Sequence, residues 1–442
     1  MEIVPFRTPG LGDQTYLFVH EGKGILIDPQ RDIDRFLRVS AERDVDLRFV
    51  LETHLHNDYV SGGEQAAKRT GAELVLPAAA AAAYPHTPAF HMEEIKADSF
   101  TLRPIHTPGH TPEHTSYLVL IEGEPVALFS GGSLLVASAG RPDLLGMARA
   151  RTLAKLQYGS LHRLAGLPRG VGLYPTHGAG SFCTASGAGQ YTSTIGEELD
   201  SNPLLACTDP EEFADRLLAA PMPIPRFYQY MGPANTLGVP PMPPVSVPEL
   251  ALADVPRDAK VVDIRPRAVQ AAGFLPGSTG IEVTDDFGSW AGWLLPYRSP
   301  MVLVAEPDQD LTEPVTQLAQ IGVDTVQGVV RDLGEAATAR FELVDLDMFR
   351  RRMAEPDAQV LDVRMPSERV LVRLDGAVER FLPELFSDGV PQDLDPDRPV
   401  LVICASGRRA SIAATWLVRE GFQPVVLTGA GVPDVVRTPA AA

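Results

Sequence analysis

One stretch of this sequence decides the fold of the region around it: Pro399-Val-Leu-Val-Ile-Cys404-Ala-Ser-Gly-Arg-Arg409. The apolar run that ends at Cys404 is typical of a strand buried on both faces of a parallel sheet. The residues from Ala410 to Glu420 have the apolar spacing of a helix, so strand, loop and helix meet at one sulfur. Inward-turned loop amides and a helix N-terminus stabilise an anion. The pattern therefore predicts that Cys404 is held as a reactive thiolate.

The same arrangement occurs earlier in the chain. Val261–Arg265 and Val360–Arg364 are both apolar strands that end in Asp-x-Arg, and each is followed by a second apolar strand. This repeat predicts two α/β domains with parallel sheets. The first copy has Ala305-Glu-Pro-Asp where the second has its cysteine, so we expect it to be unable to carry sulfur. Its Asp263 and Arg265 are predicted to be structural.

Composition divides the chain further. All ten histidines lie between His20 and His177, so histidine-based metal chemistry must belong to the first half. Residues 221–248 are too rich in proline for a helix interior or a central strand, and we predict an extended linker there. The predicted segments are a histidine-bearing domain at 1–220, the linker at 221–248, the copy without cysteine at 249–340 and the copy with cysteine at 341–442.

The cysteine loop resembles that of the rhodanese family. The residues between Cys404 and Arg409 are Ala405, Ser406, Gly407 and Arg408. This loop is shorter than that of tyrosine phosphatases, and the resemblance implies that it encloses a single transferred sulfur atom. It further implies that Cys404 is the nucleophile, that Arg409 and the loop amides cradle the anion, and that Asp362 and Arg364 support them. No cofactor is needed for this step. Ala405 stands where the family often has arginine, so substrate preference stays open.

The first half contains a cluster of potential metal ligands. Thr53-His-Leu-His-Asn-Asp-Tyr59 follows an apolar strand and presents its donors from one strand-end loop. His54, His56 and Asp58 of this loop are candidate ligands, and the same half of the chain also contains His110 and His177. Imidazole and carboxylate groups are ordinary ligands of zinc and iron, so the pattern predicts a metal-binding region.

In order and spacing, these segments resemble the metallo-β-lactamase superfamily over about residues 1–220. Within it, the similarity is nearest to persulfide dioxygenases and glyoxalase II-like hydrolases, particularly bacterial dioxygenases fused to rhodanese modules. Gly140-Arg-Pro-Asp143 and Thr176–Ser181 carry this finer resemblance. It implies an α/β protein in which an αββα sandwich is followed by two rhodanese-like domains with parallel sheets.

Two ligands expected from that resemblance are replaced. Tyr59 stands where the family's H-x-H-x-D-H has its last histidine, and Gly132 stands where the family has an aspartate. The resemblance implies iron held by His54, His110 and that aspartate, a set that is incomplete here. We predict that His54, His56 and His110 remain as a three-histidine set for zinc. Two alternatives stay open, a weakened site for iron or zinc and a degenerate site without a stable metal.

Charge and composition exclude several kinds of partner. The chain has 38 Lys and Arg against 57 Asp and Glu, a net charge of −19, so we expect no nucleic acid partner. It has no long apolar segment and no secretory pattern, so a cytoplasmic protein without a membrane partner is expected. Three distant cysteines argue against disulfides, and packing is the prediction for Cys183 and Cys207. The resemblance implies a homo-oligomer.

Three functional hypotheses follow. The leading one is a sulfurtransferase of persulfide or sulfide metabolism, which moves sulfane sulfur from thiosulfate or a persulfide to a small thiol through a Cys404 persulfide. The second keeps the first domain active as a metal-dependent persulfide dioxygenase or glyoxalase II-like thioester hydrolase. The third is a non-catalytic sulfur-carrier or sensing scaffold.

Overall fold

The computed structural model describes residues 1–184, 190–219 and 222–437. The chain forms two compact units, one of residues 1–243 with 316–322 and one of residues 244–315 with those from 323 onward. The predicted boundary between 220 and 221 falls outside the described residues. None of the described helices combines the length and the apolar character needed to cross a membrane.

Two six-stranded sheets form the first unit. Its strands are β1 Glu2–Thr8, β2 Asp13–His20, β3 Lys23–Ile27, β4 Asp46–Leu51, β5 Glu73–Pro77, β6 Thr87–Ala89, β7 Ile95–Lys96, β8 Thr101–His106, β9 Thr115–Ile121, β10 Glu124–Gly131, β11 Leu134–Leu135, β12 Ser138–Ala139, β13 Gly172–Pro175 and β14 Ser193–Thr194. The sheet orders are β1-β2-β3-β4-β5-β6 and β14-β13-β10-β9-β8-β7, and β11 and β12 form a separate hairpin. Its helices are α1 Asp34–Glu42, α2 Gly63–Thr70, α3 Met147–Ala165, α4 Ile195–Ser201, α5 Pro210–Leu218 and α6 Tyr228–Leu237.

Alternation of side chains along the strands produces the layers, because successive residues point to opposite faces of a sheet. In β2, Tyr16 and Phe18 pack between the sheets, whereas Leu17 packs on the outer side with Phe36 of α1. In the second sheet, Leu118 faces outward into a cluster that contains residues of α3 and α5. The order helix, sheet, sheet, helix confirms the predicted αββα sandwich.

The predicted linker at 221–248 is wrong in part, because α6 forms inside it. Pro233 lies within this helix, where proline ordinarily weakens the hydrogen-bond ladder. Tertiary packing compensates, since Tyr228 and Met231 are buried. The side chain of Asn235 also donates to the carbonyls of His56 and Tyr59, both at 2.8 Å. The first unit consequently continues past residue 220, through 243.

The second unit contains the predicted pair of parallel sheets. Its strands are β15 Lys260–Asp263, β16 Thr279–Gly280, β17 Met301–Val304, β18 Val326–Val330, β19 Glu342–Val344, β20 Gln359–Asp362, β21 Val378–Glu379, β22 Pro399–Ile403 and β23 Gln423–Leu427. Its helices are α7 Arg267–Ala272, α8 Phe287–Leu294, α9 Thr312–Gln320, α10 Leu346–Met353, α11 Pro366–Leu371, α12 Leu382–Asp388, α13 Arg408–Arg419 and α14 Val432–Val436. Helix α9 begins in this unit, and its residues from 316 onward belong to the first unit. The first sheet has the order β16-β15-β17-β18. The second sheet, read from its β21 edge, has the order β21-β20-β22-β23-β19. The two orders agree strand for strand, except that the second sheet has β19 as an additional edge strand. All pairings in both are parallel.

The Asp and Arg of each Asp-x-Arg sequence form an ion pair within their own repeat. Arg364 pairs with Asp362 at 2.7 Å and donates to the carbonyl of Val372 at 2.8 Å. In the first repeat, Arg265 pairs with Asp263 at 2.6 Å and donates to the carbonyl of Gly273, the equivalent of Val372, at 2.9 Å. Because the copy without cysteine keeps the same geometry, the pair serves the fold in both.

Candidate metal centre and sulfur loop

Three histidines from separate loops converge at one edge of the sandwich. His54 follows β4, His110 lies between β8 and β9, and His177 follows β13. All three are buried, and their ligand atoms lie within 4.8 Å of one another. The Nε2 atoms of His54 and His177 are 3.4 Å apart. That separation suits two ligands of one tetrahedral zinc ion with bonds of about 2.0–2.1 Å.

Outer contacts orient these rings. Nδ1 of His110 bonds the carbonyl of Arg141 at 2.9 Å, and Nδ1 of His177 bonds Asp13 at 2.8 Å. Nε2 of His110 is buried and has no partner among the described residues. Burial lowers the pKa of His54, His110 and His177, which favours the neutral form that binds metals. Oriented rings and an unpartnered inward nitrogen fit a metal ion.

The structure arranges the predicted histidine and aspartate ligands, together with Asp28, into three groups that could each hold a metal ion. His177, rather than His56, completes the group that contains His54 and His110. Nε2 of His56 lies 3.3 Å from Asp28 and 3.2 Å from Glu52. Burial by itself lowers the pKa of His56, but these two carboxylates outweigh it and raise that pKa well above its usual value. Nδ1 of His56 is buried and has no partner among the described residues, and His56 belongs to two further groups that could hold a metal, one with Asp28 and His54 and one with Asp58 and His177.

Tyr59 serves a structural purpose where the family resemblance expects a ligand. Its ring stacks on His56 with centroids 4.3 Å apart, and its hydroxyl is 3.0 Å from Nε2 of that histidine. The same hydroxyl donates to the carbonyl of Asp28 at 3.2 Å. Tyr59 therefore contacts His56 and Asp28 at the position where the resemblance expects a histidine ligand, while His56, Asp58 and His177 still form a group that could hold a metal.

His110 fills the space beside Gly132. A Cβ atom at Gly132 would overlap Cδ2 of the His110 ring and lie 2.9 Å from its Cγ and Nε2. The backbone amide of Gly132 donates to Nε2 of His114 at 2.9 Å. The imidazole of His110 therefore occupies the space that the Cβ atom of an aspartate at position 132 would need.

Introducing an aspartate at position 132 is expected to lower both the stability and the metal content of the protein. We predict that Gly132→Asp destabilises the chain by about 1–3 kcal/mol through overpacking and lowers its metal content. Gly159→Asp is the control, because a Cβ at this exposed glycine of α3 meets open space. Denaturant unfolding and elemental analysis measure both effects. A Gly132→Asp variant of unchanged stability that gains bound iron would contradict the packing argument.

Asp58 and Cys183 adjoin the histidines on the His177 side. Asp58 lies 3.3 Å from Nδ1 of His177 and accepts a hydrogen bond from the Cys183 thiol at 3.2 Å. Burial raises the pKa of Asp58 and of Asp13 to about 7. Burial and these acids also raise the pKa of the Cys183 thiol well above its usual range. Cys183 therefore does more than pack, but it is held as a protonated thiol.

Asp28 is the main residue of this centre that the sequence analysis missed. It accepts from the amide and hydroxyl of Thr53, both at 2.7 Å, and from the hydroxyl of Thr176. It therefore ties the His54 loop to the His177 loop. Its φ of 52° is unusual for a residue other than glycine. The sequence contained one signal for Asp28, because an acidic residue stands directly after the apolar strand β3.

The second candidate site is the Cys404 loop, which forms as the sequence predicts. Cys404 follows β22 and is 1% exposed, and the amide of Gly407 donates to its Sγ at 3.1 Å. Gly407 has a φ of 87°, and a Cβ there would lie 2.7 Å from the carbonyl of Leu427. Glycine is required for this turn. Ala405, Ser406 and Arg408 are exposed above the sulfur.

Arg409 forms an ion pair with a residue that the loop motif does not include. Its guanidinium forms a two-pronged ion pair with Glu368 of α11, at 2.5 and 2.7 Å. Burial lowers the pKa of Arg409, but Glu368 and the neighbouring acids outweigh it and keep the group charged. The amide of Gly407 therefore donates to the sulfur, while Arg409 anchors the start of α13 through Glu368 and interacts electrostatically with Cys404.

The repeat without cysteine contacts the loop directly. Arg267 donates to the carbonyl of Ser406 at 3.4 Å and is ion-paired with Glu282. Arg408 lies 3.6 Å from Asp286 of the same repeat. Ala305, at the equivalent of Cys404, is fully buried. This repeat thus supports the sulfur loop while having no sulfur position of its own.

Comparisons with known proteins match both parts of the chain. Residues 9–177 match the metallo-beta-lactamase superfamily, and residues 345–436 match the rhodanese-like domain. A hydroxyacylglutathione hydrolase of Methylobacterium sp. is 30% identical over 193 residues, which are 39% of this chain and 74% of that protein. One from Methylobacillus flagellatus is 28% identical over 246 residues, covering 51% of this chain and 95% of that one.

A solved structure extends the similarity. A metallo-beta-lactamase from Staphylococcus aureus subsp. aureus COL aligns with a TM-score of 0.67 and 27% identity, over 75% of this chain and 99% of that one. Domains of the two matched kinds indicate an enzyme with sulfur-related or hydrolytic chemistry. The chain belongs to the metallo-β-lactamase superfamily and combines that fold with a rhodanese-like domain at residues 345–436.

Proposed function

We propose that this protein is a sulfurtransferase that moves sulfane sulfur through a persulfide on Cys404. The observation that carries the proposal is the Gly407 amide aimed at the Cys404 sulfur at the N-terminal end of α13. Such donors stabilise a thiolate and also the anionic outer sulfur of a persulfide. A thiosulfate or persulfide donor and a small thiol acceptor fit this chemistry.

The transfer takes two displacements. The Cys404 thiolate attacks the outer sulfur of thiosulfate, the S–S bond breaks with its electron pair on the leaving group, and sulfite departs. An acceptor thiolate then attacks the outer sulfur of the Cys404 persulfide. The acceptor leaves as a persulfide, and the Cys404 thiolate is regenerated. No net oxidant or reductant is consumed.

Turnover with thiosulfate and a thiol acceptor tests the proposal. Sulfite should appear continuously over many turnovers and in equal amount to acceptor persulfide. A single equivalent of sulfite, with no further release, would instead support a sulfur-carrying scaffold. Absence of any sulfite would contradict the sulfurtransferase.

The Glu368–Arg409 pair is expected to hold the loop in shape. Glu368→Ala leaves the Arg409 guanidinium buried and unpaired, and we predict a loss of about 1–3 kcal/mol in the free energy of unfolding. Glu368→Gln keeps the hydrogen-bond acceptor and should lose less. Glu420→Ala is the control, because that carboxylate is 41% exposed beside Arg419. Equal stability of Glu368→Ala and the control would contradict the anchoring role.

A metal-dependent activity of the first domain is the second candidate. It is favoured by the unpartnered Nε2 of His110 within the His54, His110 and His177 group. Among the described residues, one candidate group has three histidines, as in a catalytic zinc site, and two groups have two histidines and one carboxylate, as in an iron oxygenase. A bound zinc would supply Lewis-acid activation of a water or a thioester carbonyl. Because curated relatives are hydroxyacylglutathione hydrolases, we rank a thioester hydrolase above a persulfide dioxygenase for this domain.

A further inference from the structure

The peptide group between Ser406 and Gly407 connects the Cys404 sulfur with the repeat that has no cysteine. Its amide donates to Sγ of Cys404 at 3.1 Å, and its carbonyl accepts from Nη1 of Arg267 at 3.4 Å. The described peptide bonds are trans. In a trans peptide group, the N–H and the C=O point in opposite directions. A carbonyl held on the side of Arg267 therefore turns the amide toward the sulfur.

This peptide group needs a restraint from outside the loop. A glycine adopts positive and negative φ about equally readily, so the φ of 87° at Gly407 is not fixed by the residue itself. If the peptide group rotated by half a turn, the carbonyl oxygen of Ser406 would face the sulfur in place of the amide. The negative end of that dipole would repel a thiolate, and equally the outer sulfur of a persulfide. The reactivity of Cys404 thus depends on the direction of one peptide group.

The next carbonyl along the chain, that of Gly407, is bound within its own repeat. It accepts from the amide and from the hydroxyl of Ser411, both at 2.9 Å. Among the described residues, the hydrogen bond to the carbonyl of Ser406 comes instead from the other repeat, through Arg267. The repeat without cysteine therefore supplies a contact that the cysteine-bearing repeat does not provide for itself.

Arg267 is itself held in place. Its Nε donates to the carboxylate of Glu282 at 2.6 Å, and its side chain is 17% exposed. The two repeats also pack directly beside it, because the buried amide of Gly280 donates to the hydroxyl of Thr415 of α13 at 3.0 Å. The guanidinium therefore approaches the sulfur loop from a fixed surface, and its direction is set before any substrate binds.

We propose that Arg267 is a positioning residue for Cys404. It holds the carbonyl of Ser406 outward, so that the amide of Gly407 stays directed at the thiolate and, after loading, at the persulfide. Its part in turnover rests on the proposed sulfurtransferase function, whereas the peptide direction rests on the geometry alone. The repeat that cannot carry sulfur thus contributes to the reaction without touching the substrate.

Alkylation of Cys404 by iodoacetamide in the full chain, followed by mass spectrometry, tests the proposal without a sulfur donor. The thiolate attacks the carbon of the reagent, and iodide leaves with the electron pair of the broken bond. Arg267→Ala should slow this alkylation about fivefold at neutral pH, because the thiolate loses the aligned amide. A loop that was merely loosened would react faster, since the sulfur is 1% exposed in the intact protein. Unchanged or faster alkylation would overturn the proposal.

Matched variants separate positioning from charge and from folding. Arg267→Lys keeps the charge and a donor, and it should recover at least about half of the wild-type alkylation rate. Glu282→Gln, which weakens the ion pair that aims Arg267, should slow alkylation in the same direction. Arg257→Ala, at an exposed arginine of the same repeat, should match the wild type.

Salt and turnover complete the test. In about 1 M salt, where charges are screened beyond about 3 Å, the deficit of Arg267→Ala should persist because a hydrogen bond has been lost. A deficit that disappears in salt would contradict positioning. Sulfite release from thiosulfate should fall by about the same factor as alkylation. A wild-type chain that is alkylated normally but releases no sulfite would contradict the sulfurtransferase, while the alkylation comparison would still decide the role of Arg267.

Discussion

Replacing Cys404 with serine is expected to lower sulfur transfer from thiosulfate to a thiol by about a thousandfold or more. A serine hydroxyl is not ionised near neutral pH and forms no persulfide, so both displacements fail. The fold should persist, since oxygen replaces sulfur in a loop whose shape depends on Gly407 and on the Glu368–Arg409 pair. The measurement is steady-state sulfite release, with the melting temperature as the check on folding.

Cys207→Ala provides the matched control for that variant. Cys207 is buried in the first unit, in the core cluster that contains Leu204 and Phe213, and that cluster includes none of the described residues of either candidate site. Its replacement should cost some stability and leave sulfur transfer intact. Full activity in Cys404→Ser, or complete loss in Cys207→Ala, would show that the nucleophile has been misassigned.

Replacing His110 with alanine is expected to reduce zinc bound to the purified protein at least tenfold. The variant removes the unpartnered Nε2 that completes the group with His54 and His177. Loss of an outer contact alone typically weakens metal affinity about 10–100-fold, and loss of a ligand should do no less. Elemental analysis per chain and zinc titration of metal-free protein give the numbers.

His91→Ala is the control, because His91 is an exposed histidine outside the group. It should leave zinc content unchanged. If wild-type protein and His110→Ala bind zinc equally, the three histidines are not the metal ligands. Iron in place of zinc in the wild type would favour the dioxygenase over the hydrolase.

Much of the fold could be predicted because it depends on local patterns. Strands such as β22 are continuous apolar runs, and the repeated Asp-x-Arg marks the end of β15 and β20. Helix α6 could not be predicted in this way, since Pro233 opposes a helix locally. The contacts of Asn235 with the chain around His56 stabilise it, and such long-range contacts leave no periodic signal.

The candidate sites were predictable as residue sets but not as geometries. The sequence identifies His54, His110 and His177 as ligand types, yet which rings face each other depends on loop direction. The ring of His56, for example, lies beside the carboxylates of Asp28 and Glu52, which the histidine motif does not include. Likewise, the arginine of the sulfur loop turns toward Glu368, a residue outside the motif.

Mass spectrometry of Cys404 after treatment with thiosulfate tests the central claim most directly. The peptide that contains Cys404 should gain the mass of one sulfur atom, and a thiol acceptor should remove it. The peptides that contain Cys183 and Cys207 should stay unmodified, because one thiol is held protonated beside Asp58 and the other is packed in a core. An unmodified Cys404, or sulfur carried on Cys183 instead, would contradict the account.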